Sequence, residues 1–274
     1  NRPVGTEMKR IKRYLFLLFL LAAVCLYGLT LYPHSPGKSS GTSLEAPSAV
    51  HFLGTDNLGI DIFAQLAKGF YLSMMTGVTA AVCSFAAGGV LGVCAGYCGR
   101  RTDAVISFFT NVFLSVPQLP VMIVIGAFWG QSTWNIILIV SAFSWASIAK
   151  QVRAKVMSVR NRNYVVLARS YGAGPWYIVR KHMLGEIFPL LLVNAVAVTG
   201  RTIIQESSLA YLGLSDPLAK SWGLMIQNAS SFTGIYFTDY WKWWLIPPVA
   251  MLVFTIFCLR FLAQALEAWL LRDR

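Results

Sequence analysis

Six apolar stretches set the limits on what this chain can become. They run over Tyr14–Tyr32, Phe70–Tyr97, Ala104–Phe128, Trp134–Ala149, Ile187–Leu209 and Trp244–Leu266. Crossing the hydrocarbon core of a bilayer takes about 20 mostly apolar residues in a helix. Lipid offers no partner to an open backbone N–H or C=O, so a crossing segment must satisfy its own hydrogen bonds, as an α-helix does. Pro117 and Pro120 fall inside the third stretch, where neighbouring helices must satisfy the freed carbonyls. The expected fold is an all-α polytopic membrane protein with six transmembrane helices. Composition agrees: 56% of residues are hydrophobic and 12% charged, about half the charge of a soluble domain.

The net charge of +12 would suit a nucleic-acid partner, but its placement points to topology instead. With six spans and a cytoplasmic amino terminus, most of the 23 lysines and arginines fall in inner segments, and the outer loops hold only Lys38, Lys68, Lys220 and Lys242. That asymmetry follows the positive-inside rule, so both termini are expected in the cytoplasm and no nucleic acid is expected as a partner. The first span follows a basic stretch, as a signal peptide would. It is longer than an h-region and no small-x-small site follows, so it reads as an uncleaved anchor. Cys25, Cys83, Cys94, Cys98 and Cys258 lie within or at the ends of spans and read as small apolar residues.

Between Lys150 and Gly185 the apolar rhythm stops. The segment KQVRAKVMSVRNRNYVVLARSYGAGPWYIVRKHMLG carries Lys150, Arg153, Lys155, Arg160, Arg162, Arg169, Arg180 and Lys181, and no acid. Val165, Ala168 and Tyr171–Gly172 recur at helical spacing and mark one face of a short helix. Gly172-Ala173-Gly174 breaks it, and Pro175 can open a second helix at the position where a missing N–H costs nothing. Two short amphipathic helices joined by a glycine elbow make a docking surface. The domain reading is an anchor helix with an external segment over 1–69, then a five-helix core over 70–274 that contains the loop 150–185.

Outside, the segment after the first span is rich in Ser, Pro and Gly and then reads HFLGTDNLGIDIFAQL. Asp56 can cap a turn, and Ile60–Leu66 reads as a short amphipathic helix at the interface. The second external segment ends in Tyr240, Trp241, Trp243 and Trp244, an aromatic belt at the outer boundary. Enzyme chemistry is missing: there is no H-E-x-x-H and no G-x-S-x-G. His34, His51 and His182 are divided between the two sides, so no metal site is expected. Gly37-Lys38-Ser39 imitates the end of a phosphate-binding loop, but Tyr32 stands where its first glycine is needed. Arg201, Gln205 and Glu206 in the fifth span are polar where lipid disfavours polarity, and they are candidates to line a translocation path or to pack against a neighbour. Arg260 reads as a snorkelling cation.

NYVVLARSYGAGPWYIVRKHMLGEIFP resembles the EAA loop of permease subunits of bacterial ATP-binding-cassette importers, above all the second permease subunit of the oligopeptide, dipeptide and nickel systems. Tyr164, Val165, Ala168, Arg169, Gly172, Ala173, Arg180, His182 and Leu184 carry the match. HFLGTDNLGIDIF is similar to the family's external motif through His51, Gly54, Thr55, Asp56, Leu58, Gly59 and Asp61. ESSLAYLGL from Glu206 and Trp222-Gly223 with Met225 resemble two further family segments. Val166 stands at the family's acidic position, Gly185 at its proline and Ile60 at its external arginine.

The resemblance implies a type I importer permease (MetI-like) fold with cytoplasmic EAA coupling helices. It implies a non-catalytic subunit that binds no cofactor itself, with ATP and Mg on two cytoplasmic ATP-binding subunits. A second homologous permease subunit completes the pore, and an extracellular or periplasmic substrate-binding protein delivers oligopeptides or dipeptides. The setting is the lipid of a bacterial cytoplasmic membrane, crossed several times. The alternative cargo within the same architecture is nickel or a metal–chelator complex. ATPase coupling falls to Ala168, Arg169, Tyr171, Gly172, Ala173, Gly174, Pro175 and Trp176, with Arg169 able to pair with acidic groups of the ATPase.

Overall fold

A computed structural model describes residues 4–130 and 132–270. Helices α1 (Val4–Thr30), α2 (Ile62–Cys98), α3 (Arg100–Ser115), α4 (Gln118–Trp129) and α5 (Thr133–Arg160) come first. Next are α6 (Asn163–Ser170), α7 (Pro175–Ile178), a π turn (Val179–Met183) and α8 (Leu184–Tyr211). The chain closes with α9 (Trp222–Ser231), α10 (Trp241–Trp244) and α11 (Ile246–Leu270). Among the described residues, five helical runs are long and apolar enough to cross a membrane. A sixth exists only if α3 and α4, bent by 82°, count as one span. That bend breaks the third span expected over Ala104–Phe128 at its prolines. Pro117 disfavours helical geometry at Val116, whose ψ of 126° is extended, and the chain turns there.

Other boundaries shift for equally local reasons. The Asp61 carboxylate accepts the Ala64 N–H at 2.9 Å and caps α2, so Ile60–Leu66 is not a separate interfacial helix. The domain division expected at residues 69/70 consequently falls inside α2. Helix α5 continues past Ala149 to Arg160 because Val152, Val156 and Val159, all fully buried, extend its apolar face into the basic loop. Trp244 is 2% exposed and packs with Ile62 and Trp222, which makes it a core residue and not part of a belt.

The closest packing joins α2 to α5. Gly88, Gly92 and Gly96 recur every fourth residue on α2, opposite Ile148, Val152 and Val156 on α5. A Cβ built on any of these glycines would lie 2.7 Å from the facing Cβ. Small residues at this spacing let two helix backbones approach, which is how helices associate where water supplies no hydrophobic drive. The same α5 residues belong to one buried cluster with Val165, Ile178, Met183 and Ile187, so the basic loop and the helical bundle share a core.

Candidate functional site

The basic loop folds as a hinged pair of short helices. At the end of α6, Tyr171 is the cap residue and Gly172 has φ +83°, left-handed geometry that glycine adopts without strain. The Ala173 N–H donates to the Ala168 carbonyl at 3.0 Å and the Gly172 N–H to the Arg169 carbonyl at 3.0 Å. These two bonds make a Schellman motif, which satisfies carbonyls that the ended helix would leave open. Pro175 then takes an opening position of α7, where Ile178 donates back to the Gly174 carbonyl at 3.1 Å. Elbow and second helix therefore stand where the sequence places them. The apolar face does not: Val165 is fully buried, whereas Tyr171 is 89% exposed.

Two side chains plug this unit into the bundle, Val165 from α6 and Ile178 from α7. Ion pairs brace it. Glu186, directly after the acid-free loop, pairs with Lys155 at 3.0 Å and Arg162 at 3.2 Å. Arg153 pairs with Asp103 and ties α5 to α3, its Nη2 donating to Oδ2 at 2.7 Å. Much of the loop's positive charge thus has structural work within the chain. Arg169 is exposed, with its guanidinium over the Tyr97 ring, 5.6 Å from the centroid. On the outward side stand Tyr171, Trp176 (74% exposed), Tyr177, Val166 and Leu167, an apolar and aromatic surface around the elbow.

The candidates in the fifth span separate. Arg201 lines a cavity of about 300 Å³ between α5, α8 and α11, together with Gln151, Asn194, Arg260 and Gln264. Arg201 and Gln205 line a second one of about 260 Å³, against Gln118, Ser144 and Ser147. Glu206 lies in neither. It is 5% exposed, with its Oε2 3.5 Å from the hydroxyls of Ser73 and Ser207, and it packs between α2 and α8. Arg260, expected to snorkel, faces the same cavity as Arg201.

The external motif is a buried knot. Asp56 Oδ1 accepts from the backbone N–H of Leu58 and Ile60 at 2.8 and 2.9 Å, and its Oδ2 from Gln65 at 2.7 Å. Thr55 donates to the Thr42 carbonyl at 2.6 Å. Gly54 and Gly59 both have φ +72°, and a Cβ on either would press within 2.4 Å of a neighbouring carbonyl oxygen. Asp61 Oδ2 meets the Tyr32 hydroxyl at 2.9 Å and His51 Nδ1 at 2.8 Å. Burial, then the hydrogen bond to Asp61, pushes the Tyr32 phenol up to about 12. Sequence separation hid one convergence: His34, His51 and Asp61 bring ligand-type atoms within 4.8 Å of one another and could hold a cation. His34 Nε2 lies 3.1 Å from the Val50 carbonyl, so these side chains also have partners within the chain. The glycine seam was likewise missed, although three glycines at a spacing of four within one span were its visible signal.

The family described as "Binding-protein-dependent transport system inner membrane component" matches residues 88–273. A dipeptide transport system permease protein, DppC of Bacillus subtilis, is 32% identical over 256 residues, which cover 92% of this chain and 78% of that protein. A putative peptide permease protein of Brucella suis is 30% identical over 250 residues, covering 90% and 82%. A probable D,D-dipeptide transport system permease protein of Escherichia coli, DdpC, is 29% identical over 240 residues, covering 86% and 79%. Among solved structures, an inward-facing form of the MetNI methionine ABC transporter matches with a TM-score of 0.58 at 18% identity, over 74% of this chain and 95% of that one. At that identity the likeness concerns the fold, and it agrees with the MetI-like architecture expected from the resemblance. The family model and these relatives cover most of the chain, and this chain belongs to the family of inner-membrane permease components of binding-protein-dependent ABC transport systems.

Proposed function

We propose that this chain is a non-catalytic permease subunit of an ATP-driven importer that moves oligopeptides or dipeptides across a bacterial cytoplasmic membrane. It pairs with a second homologous permease subunit, two cytoplasmic ATPases that hold ATP and Mg, and an external substrate-binding protein. Both termini and the basic loop face the cytoplasm, in keeping with the excess of Lys and Arg on that side. The observation that carries the reading is the construction of the loop. Its elbow leaves an aromatic surface exposed, while Val165 and Ile178 anchor it in the core shared with α2, α5 and α8. A partner seated on that surface moves the anchored helices with it. ATP binding then biases the inward–outward equilibrium of the bundle through the partner's different fit to the two states. The peptide names of the relatives support the cargo class.

The test is transport by the purified complex in proteoliposomes, with radiolabelled dipeptide outside and ATP inside. ATP-dependent dipeptide uptake that fails when the ATPase subunits are left out is the expected result. Uptake confined to a nickel chelate would overturn the cargo, and nucleotide hydrolysis by the isolated permease would overturn its non-catalytic role.

A further inference from the structure

The cavity shared by Arg201 and Arg260 has a composition that membrane helices rarely tolerate. An ionisable residue inside a span is costly and ordinarily pairs with an opposite charge or borders a functional path. Here two guanidiniums line one cavity of about 300 Å³, near enough to feel each other's charge. Glu267 lines it too, but among the described residues neither arginine forms an ion pair with it or with any other carboxylate. The remaining polar lining is amide: Gln151, Asn194 and Gln264. Arg201 also reaches the second cavity, where Gln118 Nε2 is buried without a hydrogen-bond partner among the described residues. Gln151 and Asn194 hydrogen-bond to each other at 3.0 and 3.2 Å, and the two cavities meet at Arg201, with Arg260 on one side of it and the unpartnered Gln118 amide on the other.

We propose that Arg201 and Arg260 form a carboxylate-binding station, which takes the C-terminal carboxylate of a peptide in transit. This rests on the peptide-permease reading and adds a binding site inside the permease itself. A planar guanidinium presents paired N–H donors that match a carboxylate, and two of them around one anion relieve their mutual repulsion. Gln264 and the mutually bonded Gln151 and Asn194 complete the polar lining alongside Glu267. An anionic lipid phosphate offers similar chemistry, and the experiment below tells the two sources apart.

The intact complex, in phosphatidylcholine nanodiscs, is treated with phenylglyoxal, and modification of Arg201 and Arg260 is followed by mass spectrometry. Ala-Phe is expected to slow modification of both arginines, whereas its C-terminal amide leaves the rate unchanged. Equal effects of the two, or none, would overturn the station even if peptide uptake is intact. Slowing by phosphatidylglycerol without peptide would assign the site to lipid and overturn it as well. Absence of peptide uptake alongside selective protection would instead count against the transport reading. In proteoliposomes, Arg201→Gln should lower the preference for Ala-Phe over its amide by about tenfold, the scale of one lost charge-assisted hydrogen bond, and Arg201→Lys should keep most of it. An unchanged preference in Arg201→Gln would argue against the assignment.

Discussion

Replacing Gly172 by Ala and by Trp separates what this chain needs from what its motor needs. Gly172 has φ +83°, and a Cβ built there meets no atom within 4 Å. Inside the chain the cost is therefore one of backbone alone. Holding an L-residue in left-handed geometry costs about 1–2 kcal/mol, and the size of the side chain adds nothing where space is open. Both variants of the purified permease should thus show the same modest loss of thermal stability. The partner changes that expectation. If an ATPase covers the elbow, a methyl group fits beneath it more readily than an indole. Coupling, measured as peptides imported per ATP hydrolysed in proteoliposomes, should fall no more than a few-fold for Gly172→Ala. For Gly172→Trp it should fall tenfold or more, an added loss of about 1.4 kcal/mol or greater that only the assembled complex reveals. Equal coupling in the two variants would refute the placement of a partner at the elbow. Unequal stability of the isolated variants would refute the claim that the space there is open.

The α2–α5 seam gives a second test. Gly92→Ala puts a Cβ 2.7 Å from that of Val152, about 1 Å inside ordinary contact, so overpacking should cost about 1–3 kcal/mol, read as a lower melting temperature in detergent. Gly89→Ala meets only the Leu191 methyls, at 3.4 and 3.6 Å, and should be nearly neutral; matching losses would dismiss the seam. The external knot should weaken in alkali. Tyr32 ionises near 12 when folded and near 10 when unfolded, so the unfolded chain sheds the proton first and stability falls as pH rises between those values. Tyr32→Phe should flatten that part of the pH–stability curve, and an identical slope would dismiss the assignment. Asp61→Asn leaves an amide oxygen to cap α2 but removes the acceptor of Tyr32, and should cost about 1–3 kcal/mol in the same melting assay.

What the sequence disclosed depended on whether a signal was local. The elbow was legible because glycine, proline and helical spacing act over four or five residues, and Gly172 and Pro175 take their expected roles. Span lengths were less legible, since hydropathy stops where charge begins while a helix stops where its cap or packing stops. Lys150 ends the apolar run, yet Val152 and Val156 carry α5 onward because the partners that bury them come from α2 and from beyond the loop. The bend at Val116 was signalled by two prolines, but their tolerance inside a continuous span is an equally local reading. Arg201 and Glu206 both read from the sequence as intramembrane charges, each open to a path or a packing role. Only the positions of α2 and α11 direct one to a cavity and bury the other.

The seam and the elbow do opposite mechanical work. At Gly88, Gly92 and Gly96 the two backbones are in near contact, so α2 and α5 have no slack to slide or part and must move together. At Gly172 a side chain would meet open space, so a partner can approach the outward surface of the loop without meeting the bundle there. Val165 and Ile178 connect these regimes by placing the base of each short helix in the core of the rigid pair. A displacement imposed at the elbow is therefore not absorbed within the loop. It passes to α2 and α5 as a body, through the Arg153–Asp103 pair to α3, and through the π turn into α8, which carries Arg201. The cavity at Arg201 lies between α8, α11 and α5, so the body that moves and the cavity proposed to take the cargo are built from the same helices.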